Sequence, residues 1–188
     1  KCDPAGRLWA GTMPKNESGP HGALYCLETD GRVVRKFGNV SVSNGICWSL
    51  DHTTMYYIDS PTRQVVAFDY DKATGEIGNR RVVVEIAQGE GIPDGMTIDE
   101  RGCLWIALWG GYSVVCHDPA TGNRLAKVEL PAARITSCAF GGDDLADLYI
   151  TSARIGLSEE ERKAQPDAGG LFRTRVGVRG VPSFAYQG

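Results

Sequence analysis

The sequence predicts an all-β protein of the β-propeller class, and three observations support this prediction. An aspartate-containing turn recurs at Asp3, Asp51, Asp99 and Asp143, in steps of 48, 48 and 44 residues. Each turn leads into a short β-rich run that carries Trp or Tyr, and helical periodicity is nearly absent. A repeat of about 45 residues, made of short strands and glycine turns, is typical of propeller blades with four strands each.

The elements of each repeat follow in the same order. The first is an inner strand, whose entry is marked by Ser43-Asn44-Gly45, by Pro93-Asp94-Gly95 and by Ile135-Thr136-Ser137. The Asp turn and the Trp or Tyr strand come next, and a third strand is predicted at residues 22–27, 65–69, 114–118 and 170–173. A more variable outer strand completes the repeat. One short helix is predicted after Ser158, because a serine N-cap precedes acidic and then basic residues there.

The 188 residues, 42% of them hydrophobic, are sufficient for one core and predict a single propeller domain over residues 1–188. About four blades fit this length. The chain opens at Lys1, inside a repeat, so we expect a larger ring whose N-terminal blades lie outside this sequence.

Charge and hydropathy restrict the kinds of partner. The net charge is −3, and no basic tract suited to nucleic acid or to an anionic membrane occurs. No apolar run approaches the roughly 18 residues needed to span a membrane. We therefore expect a small-molecule or protein partner, without nucleic acid or membrane binding. The sequence does not indicate the oligomeric state.

Six cysteines lie at positions 2, 26, 47, 103, 116 and 138, mostly within apolar runs. None forms a Cys-x-x-Cys pair, and no Cys/His spacing is typical of a zinc site. We expect buried free thiols rather than disulfides or metal ligands. Free thiols in turn indicate a reducing compartment, so a cytoplasmic location is expected.

The strongest candidate for chemistry is Asp94, which lies between Pro93 and Gly95 directly ahead of a predicted strand. Asn44 occupies the equivalent position one repeat earlier. A carboxylate and an amide oxygen at the same end of adjacent inner strands suit a hard divalent cation. The structural alternative is that both side chains only cap turns.

Three insertions are predicted on the same face as Asn44 and Asp94. They follow the second strand of their repeats and cover residues 13–21, 109–112 and 153–169. Insertions on one face of a propeller commonly mark its binding side. His21 in the first insertion and Trp109 in the second are therefore candidates for substrate contact, whereas His52 and His117 are expected to be structural or solvated.

At two inner-strand entries the chain resembles the gluconolactonase/regucalcin family, also called the senescence-marker-protein family. The resemblance extends over essentially all 188 residues. The segments that carry it are Ser43-Asn44-Gly45 with Trp48-Ser-Leu-Asp51-His52, Ile92-Pro-Asp-Gly-Met96, Asp3-Pro-Ala-Gly-Arg7, Ala10-Gly-Thr-Met13, Tyr56-Tyr-Ile-Asp-Ser60, Thr136-Ser-Cys-Ala-Phe-Gly-Gly142 and Ala168-Gly-Gly-Leu-Phe172.

This resemblance implies a six-bladed propeller, of which the chain is the C-terminal two-thirds, with one divalent metal at the channel mouth and sugar lactones as substrates. The family's metal-binding asparagine falls on Asn44. Its metal-binding aspartate, also proposed as a general base, falls on Asp94. A further substrate contact falls in the loop that contains Lys15, Asn16 and Glu17. The family's third ligand, a glutamate, has no counterpart here, and its sugar-binding Arg and Asn would lie just before Lys1.

The resemblance therefore implies a metal-dependent lactonase, and oxygen ligands of this kind suit calcium, with zinc, manganese or magnesium as alternatives. A bound cation would polarise the lactone carbonyl, and Asp94 would act as ligand and possible general base. The main alternative is a propeller that binds calcium or another ligand without catalysis. A third possibility is a hydrolase of organophosphates or other ester-like substrates. No Gly-x-Ser-x-Gly elbow or phosphate-binding loop occurs, so serine hydrolase and nucleotide chemistry are not supported.

Overall fold

The computed structural model describes residues 1–188 and is built almost entirely from strands. In chain order the strands are β1 (Leu8–Gly11), β2 (Gly22–Leu27), β3 (Val33–Val40), β4 (Ser43–Trp48), β5 (Thr54–Asp59), β6 (Gln64–Tyr70), β7 (Ile77–Glu85), β8 (Ile92–Ile98), β9 (Leu104–Trp109), β10 (Ser113–His117), β11 (Arg124–Glu129), β12 (Ile135–Gly141), β13 (Asp147–Ser152) and β14 (Leu171–Arg175). A short 3₁₀ helix covers Ser60–Thr62, and one α-helix, α1, covers Glu159–Ala164.

The strands form four antiparallel sheets that follow the predicted repeats. Sheet 1 has the order β1-β2-β3, sheet 2 has β4-β5-β6-β7, sheet 3 has β8-β9-β10-β11, and sheet 4 has β12-β13-β14. Each sheet is therefore a simple meander in which consecutive strands pair. The predicted all-β class is confirmed, and the predicted third strand of every repeat is present as β2, β6, β10 and β14.

The core lies between neighbouring sheets, because successive residues of a strand point to opposite faces. In β9, Leu104, Ile106 and Leu108 pack towards sheet 2, whereas Trp105 and Ala107 pack towards sheet 4. A third cluster, which contains Trp9 and Trp48, fills the space between sheets 1 and 2. The inner strands β4, β8 and β12 pack side by side along one edge of this stack.

The predicted helix is confirmed with its cap. The Ser158 hydroxyl accepts a hydrogen bond from the Glu161 amide, and the Glu161 carboxylate accepts one from the Ser158 amide. This reciprocal capping box satisfies two backbone donors at the start of α1. The helix lies in the long β13–β14 connection, as the sequence predicts.

The C-terminal segment, residues 176–188, crosses the ends of all four sheets on the side away from the β5–β6 connection. Gly180 bridges to Asp99, the Phe184 ring packs edge-on against His52, and the Gln187 amide donates to the carbonyl of Gly6 at 3.0 Å. These contacts tie successive Asp turns together. No helix in the structure is long and apolar enough to cross a membrane.

Candidate functional site

Asn44 and Asp94 occupy equivalent β-bulges at the start of two neighbouring inner strands. In the β4–β5 pair, Asn44 and Gly45 together lie opposite the single residue Ile58. In the β8–β9 pair, Asp94 and Gly95 lie opposite Ala107 in the same way. A bulge bends its strand and redirects the side chain of the extra residue, and such bulges are common beside functional sites.

Glycine after each of these residues lets the next inner strand approach. A Cβ at position 45 would lie 2.6 Å from Cβ of Met96 and 2.9 Å from the carbonyl oxygen of Asp94. A Cβ at position 95 would lie 2.6 Å from Cβ of Ser137. Any larger residue would push the inner strands apart, so the Asn-Gly and Asp-Gly pairs bring the two polar side chains close together.

The Asp94 carboxyl group is half-buried, and this burial raises its pKa to about 6. The nearby Asn44 side chain and Gly95 amide favour the charged carboxylate and partly oppose the effect, while the negative charge of Glu17 adds to it. The structure thus brings the Asn44 amide to the Asp94 carboxylate. A carboxyl group with a pKa near neutrality can both carry charge and accept a proton at physiological pH.

Ser60 links Asn44 to the strand that carries Asp94. The Asn44 Nδ2 group donates to Ser60 Oγ at 3.0 Å, and Ser60 Oγ donates to the carbonyl oxygen of Pro93 at 2.7 Å. Ser60 is 6% exposed and lies in the connection between β5 and β6. The role of Ser60 was not evident in the sequence, because the contact joins residues of two different repeats.

The segment that leads into β8 is held from the neighbouring sheet. The Arg63 guanidinium donates to the carbonyl oxygens of Ile86 at 3.0 Å and of Gly91 at 2.6 Å. Gly91 has φ of +102° and packs against Gly111, where a Cβ would lie 2.7 Å from the backbone. The loop before Asp94 is therefore held on two sides, by the Arg63 side chain and by the backbone of Gly111.

The loop between β1 and β2 carries three of the predicted substrate contacts. Asn16, Glu17 and His21 are all exposed. Glu17 lies close enough to Asp94 for its charge to raise the pKa of that carboxyl group. The Asn16 side chain accepts a hydrogen bond from the Ser18 amide, and His21 packs near Gly19, so these two contacts remain within the loop.

Trp109, the fourth predicted contact, ends β9 and is partly exposed. Its ring lies 5.2 Å from the Arg134 guanidinium carbon, in a cation–π arrangement, and its backbone bridges to Arg134. Trp109 is therefore placed at the same end of sheet 3 as Asp94, against sheet 4.

A cavity of about 570 Å³ lies at the opposite end of the inner strands. It is lined by Trp48 and Ile98, beneath residues 181–184.

All six cysteines are free, as predicted. The thiols of Cys103 and Cys116 and the carboxylate of Asp99 lie within 4.8 Å of one another, a grouping that their sequence spacing did not indicate.

Comparisons with known proteins agree with this architecture. A family model described as SMP-30/Gluconolactonase/LRE-like region matches residues 1–154. The regucalcin of Danio rerio is 53% identical over 191 residues, a match that covers 100% of this chain and 65% of the relative.

Two solved structures are also similar. A luciferin-regenerating enzyme has a TM-score of 0.92 at 37% identity, covering 100% of this chain and 64% of that one. A regucalcin of Agrobacterium tumefaciens, described as a calcium-binding protein, has a TM-score of 0.93 at 33% identity, covering 99% and 63%. The chain spans about 65% of the length of the curated relatives it matches. It has their β-propeller fold and belongs to the SMP-30/gluconolactonase/LRE-like family.

Proposed function

We propose that this chain forms the larger part of a divalent-metal-dependent hydrolase that opens sugar lactones. The observation that carries the proposal is the pairing of the Asn44 amide with the Asp94 carboxyl group, whose pKa is about 6, at equivalent bulges of adjacent strands. Membership of a gluconolactonase-containing family supports the same reaction class.

The residues at this position fit a hard cation such as calcium. Asn44 uses Nδ2 to donate to Ser60, which leaves Oδ1 free as a ligand. Asp94 supplies carboxylate oxygen, and oxygen ligands of these two kinds are preferred by calcium, magnesium and manganese; zinc also accepts them. When bound, the cation would polarise the lactone carbonyl and stabilise the negative charge that develops on its oxygen.

Asp94 is proposed to act on the attacking water as well. In the metal-free site, burial raises the pKa of Asp94 to about 6, so the carboxyl group is largely ionised at neutral pH and can accept a proton. The water oxygen bonds to the carbonyl carbon while one of its protons passes to Asp94. As the ring C–O bond breaks, Asp94 returns that proton to the departing ring oxygen, which gives a hydroxy acid. The hydrogen bonds from Asn44 to Ser60 and from Ser60 to the Pro93 carbonyl keep the strand that carries Asp94 in position through this sequence.

Substrate contacts are proposed for the residues that surround this pair. Asn16, Glu17 and His21 are exposed polar side chains on the β1–β2 loop, and they suit the hydroxyl groups of a sugar lactone. Trp109 offers an aromatic surface at the same end of sheet 3. The remaining part of the whole protein would complete the site.

A calcium-binding propeller without catalysis is the second candidate function. It is favoured by the description of the Agrobacterium tumefaciens relative as a calcium-binding protein. The same Asn44–Asp94 pair would then serve as a binding site only, and no substrate would be consumed.

Acid release from an aldonolactone, measured with the whole protein, separates these functions. We expect hydrolysis that stops with a chelator, returns with calcium, and falls by more than about 100-fold in Asp94→Ala and Asn44→Ala. Thr62→Ala, which alters the same 3₁₀ turn as Ser60, is the control and should retain activity.

An aryl ester and an organophosphate complete the panel of substrates to be tested. Unchanged lactone hydrolysis in both variants would contradict the proposal, and calcium binding without any hydrolysis would favour the second function.

A further inference from the structure

The Asp turns of sheets 1 and 3 have the same backbone design but different charge compensation. In sheet 1, Asp3 Oδ1 accepts hydrogen bonds from the backbone amides of Ala5 and Arg7, and Oδ2 accepts one from the Trp9 indole at 2.9 Å.

The turn of sheet 3 repeats this pattern. Asp99 Oδ1 accepts hydrogen bonds from the backbone amides of Arg101 and Cys103, and Oδ2 accepts one from the Trp105 indole at 2.9 Å. Both aspartates are buried, at 0% and 1% exposure.

A cation neutralises the first of these carboxylates. The Arg7 guanidinium lies 3.2 Å from Asp3 Oδ2, and the Tyr70 hydroxyl donates to the same oxygen at 2.7 Å. Every acceptor position of the buried Asp3 side chain is thus in use. Such compensation is what a buried carboxylate normally requires.

Sheet 3 lacks this cation. Cys103 stands where the Asp turn of sheet 1 has Arg7, and Asp99 forms no salt bridge with any Lys or Arg side chain. One acceptor position of Asp99 Oδ2 therefore remains open. Two thiols occupy the space around it: Cys103 is half-buried, and Cys116 is 3% exposed on the adjacent strand.

The geometry of the two thiols suits the binding of one metal ion by both sulfur atoms better than it suits a disulfide. Cys116 pairs with Trp105 in the β9–β10 register, so Cys103 lies diagonally across from it. Diagonal neighbours in an antiparallel pair have Cα atoms about 7–8 Å apart, beyond the usual disulfide range of about 4.4–6.8 Å. A tetrahedral zinc ion, with Zn–S of about 2.3 Å, holds its sulfur ligands roughly 3.8 Å apart. The observed grouping within 4.8 Å needs only a small side-chain adjustment to reach that separation.

We propose that Cys103, Cys116 and Asp99 form a second metal site, which takes one thiophilic divalent cation of the zinc class. Two thiolates and a carboxylate suit zinc or cadmium and disfavour calcium. The cation supplies the positive charge that Arg7 supplies in sheet 1. The half-buried side of Cys103 is the route of entry, and a water would serve as fourth ligand.

The site would act on structure rather than on the lactone reaction. Asp99 bridges to Gly180, and the Glu100 amide donates to the carbonyl of Arg179 at 2.9 Å, so the turn anchors the C-terminal segment. A cation bound by Asp99 and Cys103 in the turn and by Cys116 in β10 would connect β10 to the turn. Through the turn, it would also stabilise the attachment of the C-terminal segment. A cysteine thiol loses its proton when it ligates zinc, so binding releases protons.

Cadmium titration of the whole protein, in saturating calcium, tests this proposal. We expect cadmium to give an ultraviolet thiolate-to-cadmium charge-transfer band that saturates at one equivalent, and to release protons. Zinc should raise the melting temperature of the protein. Cys103→Ser should weaken cadmium binding by at least about 100-fold. Cys103→Arg, which restores the sheet 1 arrangement, should abolish the band while the protein stays folded by circular dichroism.

Cys26→Ser is the matched control, because Cys26 pairs with Trp9 as Cys116 pairs with Trp105. Its band should equal that of the wild type. Absence of a charge-transfer band in the wild type would overturn the proposal. So would a band that persists in folded Cys103→Arg, or one that disappears equally in Cys26→Ser.

Discussion

The Ser60 hydroxyl donates a 2.7 Å hydrogen bond to the carbonyl oxygen of Pro93, the residue directly before Asp94. Ser60 also accepts a hydrogen bond from Asn44 at 3.0 Å. One buried hydroxyl therefore sets the position of both candidate metal ligands relative to each other. Residues that orient ligands in this way commonly affect metal affinity almost as strongly as the ligands themselves.

Ser60→Ala should accordingly weaken calcium binding by about 10- to 100-fold without removing either ligand. The effect arises because Asn44 loses its acceptor and the Pro93 carbonyl loses its donor. Calorimetric titration with calcium measures it. Thr62→Ala, whose hydroxyl bonds only within the same turn, to the Asp59 carbonyl and the Gln64 amide, should bind as the wild type does. Equal affinity in Ser60→Ala and Thr62→Ala would show that Ser60 does not position the site.

The raised pKa of Asp94 predicts a pH-dependent stability cost in metal-free protein. Burial raises the pKa from 3.8 to about 6, so the folded state binds the proton more tightly than the unfolded state between these values. The free energy of unfolding therefore falls as pH rises from about 4 to 6. Asp94→Asn removes the charge and should be more stable than the wild type at pH 8 by roughly 1–2 kcal/mol, after allowance for partial exposure.

Urea unfolding of both proteins in chelator, at pH 4 and pH 8, measures this difference. The stability gap should close towards pH 4, where the wild-type carboxyl group is protonated. A gap that is the same at both pH values would mean that the charge of Asp94 is not its cause.

The close approach of the inner strands predicts strong sensitivity at Gly95. A methyl group there would meet Cβ and Cα of Ser137 at 2.6 and 2.8 Å, which forces β8 and β12 apart. Gly95→Ala should therefore destabilise the fold by about 1–3 kcal/mol and weaken calcium binding. Gly78→Ala is the control, since Gly78 has no atom within 4 Å of its added Cβ and lies on the edge strand β7. Thermal melts in which the two variants behave alike would contradict this packing explanation.

Sequence reasoning located Asn44 and Asp94 because the repeat fixes their topological position. An Asn-Gly or Asp-Gly pair at the start of an inner strand predicted that Asn44 and Asp94 lie at the same end of adjacent strands. The two equivalent bulges are consistent with that placement. Ser60 was missed, because its partner Pro93 belongs to the next repeat. The Cys103–Cys116 pair was missed for a similar reason: only the β9–β10 register makes these residues diagonal neighbours.

The central claim is that Asn44 and Asp94 together hold one hard divalent cation. Calorimetric titration of chelator-treated whole protein with calcium tests it most directly, since calcium does not compete for thiols. We predict one equivalent of bound calcium in the wild type, and an affinity reduced by more than about 100-fold in both Asn44→Ala and Asp94→Asn. Unchanged stoichiometry and affinity in Asp94→Asn would contradict the claim.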